Sequence, residues 1–284
     1  MTRVSPLLRF GLLVAVSLVV EWRPLLETFA LALRRDEYTH ILLILPISAA
    51  LLYTEWPSRE RYRGPDGRIG IVLLFVATVI VVTSRLSAAS DVRMFWGMIA
   101  LVIWWLGSFV FCFGARAFQS LLFPLCFLFW LVPLPEFALV KTIAIWQQGS
   151  ALSASLLFSA VGVPVTQNGI VLSIPGLTLE VAQECSSLRS SLMLVVTSMV
   201  MAHLFLHSNW RKAAVTLAAI PLSIAKNGVR IFTIAMLGTH VDPGFLHGNL
   251  HRHGGVLFFL MALLAVVVLL WFLGRREDEL YGNR

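Results

Sequence analysis

Apolar runs on the scale of a bilayer's thickness alternate along the chain with short polar stretches. A helix crossing the roughly 30 Å hydrocarbon core needs about 20 predominantly apolar residues. Runs near residues 7–22, 41–53, 69–84, 94–113, 117–132, 186–206, 213–237 and 256–273 predict eight transmembrane helices. Residues 133–185 break this pattern. Pro133-Leu134-Pro135-Glu136 cannot continue a helix. Residues 137–160 mix apolar positions with Lys141, Gln147, Gln148 and several serines, which predicts an amphipathic helix lying at the outer interface. Residues 162–181 are short β-rich runs punctuated by Asn168-Gly169 and Pro175-Gly176, the signature of hairpin turns. An open sheet edge cannot face lipid, so this β element belongs outside the hydrocarbon. The pattern gives an all-α polytopic membrane protein, one membrane domain over residues 1–284 with an extracytoplasmic insert at 133–185.

The amino terminus imitates a secretory signal, with Arg3 and Arg9 ahead of an apolar run from Phe10 to Val20. No small-residue cleavage site follows, only Glu21-Trp22-Arg23-Pro24, so an uncleaved first span is expected.

Composition agrees: the chain is 58% hydrophobic and 13% charged. Its net charge of +7 would suggest nucleic acid in a soluble protein, but the basic residues sit mainly in short loops between apolar runs. With eight spans, 12 of the 22 basic residues fall on the cytoplasmic side and 7 in outer loops. That asymmetry supports a topology with both termini in the cytoplasm and residues 133–185 outside. No nucleic-acid partner is expected, and the chain's solvent is membrane lipid. Cys112, Cys126 and Cys185 form no metal-type spacing, so neither a disulfide framework nor a zinc site is expected.

The chemistry concentrates in three stretches. Glu184, Cys185 and Arg189 stand where the extracytoplasmic insert turns into the sixth span. Amides at a helix start favour a thiolate, and Arg189, four residues on, shares a face with Cys185. A lone cysteine in an apolar protein is most often a buried structural one, but inert cysteines have no need of charged neighbours in a bilayer. On the seventh span Ser223, Lys226, Asn227 and Arg230 recur at spacings of three and four, forming one polar stripe. Arg230 lies about 10 Å deep at 1.5 Å per residue, where a guanidinium must face the bundle interior and meet an anion. That anion could be a substrate group, or Glu184 or Glu180 in a structural ion pair. The loop before the last span carries His247, His251 and His253 on the same side as Cys185. They supply a base, with metal binding as the alternative, although no carboxylate or cysteine accompanies them.

A thiolate, an imidazole and a guanidinium are the parts of acyl transfer through a thioester. The physical reading is an integral-membrane cysteine peptidase needing no cofactor. The competing reading is a transporter or assembly component for envelope polymers, with Lys226, Arg230 and Arg189 binding an anionic substrate. A transporter would have little use for Cys185 and is often built from inverted repeats, which the chain does not display.

At these residues the sequence resembles the exosortase/archaeosortase family of membrane transpeptidases. The likeness spans Asp36-Glu37-Tyr38-Thr39-His40, the Pro133-Leu134-Pro135 exit, the β element, Glu184-Cys185-Ser186-Ser187-Leu188-Arg189, Asn227-Gly228-Val229-Arg230 and His251-Arg252-His253-Gly254-Gly255. Ser187 stands where relatives commonly have glycine. The resemblance implies Cys185 as nucleophile, Arg230 as transition-state stabiliser and His251 as acid and base. Counting back four residues from Gly255 favours His251 over His253. Glu184, Arg189, Asn227, Lys226, His253, Tyr38 and His40 are the candidate supporting or substrate-binding residues. It further implies exported protein substrates with a carboxy-terminal short motif, hydrophobic helix and basic tail. The implied location is the bacterial inner membrane, with the active site facing outward.

Overall fold

A computed structural model describes residues 5–56, 67–87, 89–181, 188–246 and 254–281. The chain forms two compact units, Met1–Ala138 and Leu139–Arg284. The described residues carry eleven α-helices and one three-stranded sheet, so the protein is an all-α polytopic membrane protein with a small β element.

In the first unit, α1 (Pro6–Val20) is started by Ser5, whose hydroxyl accepts from the Leu8 amide, and by a proline at its first position. At 15 residues it is about 22 Å long. The expected span to residue 22 ends early because Glu21 caps it and α2 (Trp22–Arg34) starts in a new direction of polarity, burying Thr28 and Ala32. A 3-10 turn, Asp36–Tyr38, leads to α3 (Ile41–Thr54). The long helices α4 (Gly67–Ser84) and α5 (Ser90–Phe113) pack antiparallel. Glycine makes that closeness possible, since a Cβ on Gly70 would come within 2.6 Å of the Phe111 backbone and one on Gly107 within 2.8 Å of Leu73.

α5 buries residues on every side and anchors α1: Trp104 donates to the Leu13 carbonyl and Trp105 to Ser17 Oγ, both at 2.9 Å. Arg85 pairs with the buried Glu21 at 3.2 Å, which places the corner between α1 and α2.

The stretch expected as a fifth span, 117–132, is instead α6 (Ala115–Ser120), α7 (Leu122–Cys126) and a 3-10 segment, Phe127–Leu131. Pro124 removes one helical donor, and the Pro124 carbonyl is taken by Ser48 Oγ at 2.5 Å. The chain then passes through Pro133-Leu134-Pro135 into α8 (Glu136–Ala160). Six helices among the described residues are long and apolar enough to cross a membrane, seven if the bent pair Leu122–Leu131 and Glu136–Ala160 is one span, against eight expected. The difference lies in α1, a shorter apolar helix, and in this broken segment.

In the second unit α8 leads to β1 (Thr166–Asn168), β2 (Val171–Ile174) and β3 (Leu177–Glu180), in the order β1-β2-β3. Both hairpins have two-residue loops. The second is Pro175-Gly176, with Gly176 at φ +80°, a conformation open to glycine at little cost. The first is Gly169-Ile170, one residue later than expected, because Asn168 stays paired with Val171. Leu172 and Ile174 pack with Ala151, Ala154 and Phe158 of α8 and Ile231 and Ala235 of the seventh expected span. That span is α10 (Asn209–His240), preceded by α9 (Leu188–Phe205) and followed by a 3-10 turn, Pro243–Leu246, and α11 (Gly255–Tyr281).

Tyr38 Oη donates to the Leu134 carbonyl at 2.8 Å. Replacing Tyr38 with Phe should cost about 1 kcal/mol and lower the melting temperature in detergent by about 2–4 °C. Thermal unfolding of the two purified chains checks this, and equal midpoints would show that the bond contributes nothing.

Candidate active site

α10 carries the four polar residues read from the sequence as one stripe, and the structure divides them among three neighbours. Ser223 and Asn227 face α8: Trp146 Nε1 donates to Ser223 Oγ at 3.1 Å, and Asn227 Nδ2 donates to Ser150 Oγ at 3.1 Å. Lys226 reaches α9, where its ammonium donates to Ser190 Oγ. Arg230 turns toward the start of α11, and a Cβ built on Gly255 would lie 4.0 Å from Arg230 Nη1. Spacing separates two rows, 223 with 227 and 226 with 230, as adjacent i,i+4 pairs on one helix, and within the second row Lys226 meets α9 while Arg230 meets the start of α11.

The contacts to α8 advance in the same direction along both helices, from Trp146 opposite Ser223 to Phe158 against Phe232 at 5.0 Å between ring centroids. α8 and α10 therefore run parallel over this stretch. Small residues set their separation: Gly149 lies against Ile224, and a Cβ on Gly228 would overlap the Ser153 side chain and approach the Ala154 amide to 3.0 Å. Asn227 and Gly228, inside the Asn-x-x-Arg motif, thus fix the helix that presents Arg230.

Lys226 and Arg230 are 7% and 8% exposed and one turn apart. Two like charges at that spacing repel, and burial strengthens the repulsion, so the site favours an anion between or beside them. Arg189 is exposed at the second position of α9, adjacent in sequence to Ser190.

The β element is tied to the same place. Gln147, itself buried, donates from Nε2 to the Val181 carbonyl at 2.9 Å, while the Val181 amide donates to the Ile170 carbonyl at 2.9 Å. Both backbone groups of the residue that leaves β3 are thereby held. Glu184, Cys185, His247, His251 and His253 lie outside the described residues. The described chain stops at Val181 and resumes at Leu188, and it resumes again at the buried Gly254 before Gly255.

Tyr38 and His40 belong to the first unit, and their contacts are within it. Besides the Tyr38 bond, His40 Nδ1 lies 3.1 Å from the Glu37 carbonyl and the ring meets Trp130 edge-on at 6.1 Å. Arg35 pairs with Glu136 at 3.2 Å, and Asp91 accepts from the Glu136 amide at 3.2 Å. These contacts join the Asp-Glu-Tyr-Thr-His and Pro-Leu-Pro motifs.

The sequence reading did not single out Trp146 and Ser150 of α8 or Ser190 of α9 as partners of the stripe, nor Gln147 of α8 as the partner of Val181. For the residues on α8 the signal was the three- and four-residue spacing of polar groups, read there as unfitness to span.

The fold and this buried cationic site define an integral-membrane protein with polar residues convergent on α10. The family described as Transmembrane exosortase matches residues 32–268. The chain belongs to that family. No curated protein and no solved structure matches it.

Adding a methyl at Gly228 should drive α8 off α10. Gly228→Ala is expected to cost about 1–3 kcal/mol, and Ser153→Gly in the same chain should recover part of it. A double-mutant cycle on thermal stability checks the pair, and purely additive losses would deny the contact.

Proposed function

We propose that the protein is a membrane-embedded cysteine peptidase or transpeptidase that removes carboxy-terminal sorting signals from exported proteins. The observation that carries this reading is Arg230, buried on α10 and next to Gly255, the residue that closes the His251-Arg252-His253-Gly254-Gly255 motif. Membership of the exosortase family supports it, as does the clamp on Val181 four residues before Cys185.

In this reading the Cys185 thiolate attacks the scissile carbonyl carbon, and the pair on that double bond moves to oxygen. The Arg230 guanidinium, already buried, stabilises the oxyanion. The oxyanion collapses, the C–N bond breaks, and His251 protonates the departing amine, leaving a thioester on Cys185. An acceptor amine or water then attacks the thioester, gives its proton to His251 and releases the thiolate. His253 is the other histidine able to serve. Lys226 adds positive potential one turn below Arg230, and Glu184 and Arg189 flank the thiol in sequence. The substrate's hydrophobic helix would stand in the bilayer with its short motif at the extracytoplasmic surface of a bacterial inner membrane. Tyr38 and His40 act through the architecture of the first unit, and no cofactor enters the chemistry.

The test is the fate of the host's exported proteins with hydrophobic, basic-ended carboxy termini. Cys185→Ser at normal expression should leave full-length precursors in the membrane. Arg230→Lys, which keeps charge but loses the planar fork, should slow processing by roughly 10²–10³. Unchanged processing by Cys185→Ser would overturn the peptidase reading and return the cations of α10 to an anion-transport role.

A further inference from the structure

The small sheet has an open edge that leads toward the nucleophile. β3 is an outer strand of the sheet, paired on one side with β2 in the register Leu172 with Leu179 and Ile174 with Leu177. The Val181 amide donates to Ile170, which sets the alternation: Leu177, Leu179 and Val181 turn their backbone groups toward β2. Thr178 and Glu180 turn theirs away, and among the described residues no backbone group hydrogen-bonds to them there. Their side chains are exposed, while Leu177 and Leu179 are half-buried toward the core.

Open edges in natural proteins are blunted by charged side chains, above all lysine, by proline, by a bulge or by brevity. Leu177–Glu180 contains no lysine, proline or bulge and its register with β2 is continuous; it is four residues long, with Glu180 its one charge. Nor is the strand loose. Its inner face is packed on α8 and α10, and the carbonyl of Val181, the residue that follows it, is held by the buried Gln147. The opposite edge, β1, is reached from α8, whereas β3 runs on to Cys185, five residues past Glu180. Five residues reach at most about 17 Å.

We propose that the outer edge of β3 receives the short extended motif of the sorting signal as a fourth strand. The backbone of Thr178 and Glu180 would bond the substrate's own backbone and carry its scissile carbonyl toward Cys185. Strand addition of this kind recognises extended chain through main-chain hydrogen bonds, leaving side-chain pockets to add selectivity. The two outward residues lie about 6.8 Å apart, the spacing at which an added strand presents its matching groups. This inference rests on the peptidase reading and supplies its mode of substrate binding.

The experiment traps the complex. The full chain carrying Cys185→Ser and Thr178→Cys is expressed in membranes with an exported protein of the class above, bearing single cysteines at successive positions of its motif. Under mild oxidation, disulfides should form at every second substrate position, with the Thr178 chain as control for Cys112 and Cys126. Absence of cross-links, cross-links without alternation, or a disulfide between two copies at residue 178 would each overturn strand addition.

A second measurement, with Cys185 intact, compares Thr178→Pro and Thr178→Ala. Proline removes the outward amide, which is not used within the sheet, so processing should fall at least tenfold further with proline than with alanine, which keeps that amide. Equal processing by both, at equal protein level, would also overturn the inference; if the proline chain fails to accumulate, the cross-linking pattern decides. Blocked processing in Cys185→Ser without alternating cross-links removes strand addition alone, whereas continued processing removes the peptidase reading itself.

Discussion

An ammonium and a guanidinium one turn apart inside an apolar helix bundle are the constraint from which the second unit follows. Neither can be left to lipid, and each repels the other, so α10 must be surrounded by elements that bring polar atoms to it. Ser190 does so from α9, while α8 takes up the neighbouring row through Trp146 and Ser150. With Lys226 and Asn227 thus occupied, Arg230 is directed to the start of α11. Such an arrangement is costly as architecture alone.

Small residues make the constraint satisfiable. Gly149, Gly228, Ser150 and Ser153 let α8 and α10 approach closely enough for short polar side chains to meet. The same device recurs in the first unit, where Gly70 and Gly107 bring α4 and α5 together. There the buried charge is Glu21, neutralised by Arg85 at a corner rather than displayed toward a motif.

Much of this was legible in the apolar and polar pattern. The spans that became α3, α4, α5, α9, α10 and α11 are long or strongly apolar, and the Pro-Gly turn announced its hairpin. The segment 117–132 was not legible as broken, because Pro124 inside an apolar run is compatible with a kinked helix until a partner such as Ser48 takes the Pro124 carbonyl. The Asn168-Gly169 turn slipped by one residue because strand pairing through Asn168 outweighed the local dipeptide preference. The polar stripe was visible at Ser223, Lys226, Asn227 and Arg230, but its partition was not. Periodicity assigns residues to a face, whereas three different neighbours decide what each one meets. Tyr38 and His40 stood out because they lie in the stretch 36–40 that carries part of the family resemblance; the contacts they make with Leu134, Glu37 and Trp130 could not be read from that stretch.

The central claim is that Cys185 forms a thioester with the peptide it cleaves, assisted by Arg230. It is tested most directly by mass spectrometry on the purified full chain mixed with a synthetic sorting-signal peptide and quenched in acid. The account predicts a covalent adduct on Cys185, equal in mass to the amino-terminal fragment, released by hydroxylamine and much reduced in Arg230→Lys. Cleaved peptide with no adduct on Cys185, or an adduct that forms equally well without the arginine, would contradict it.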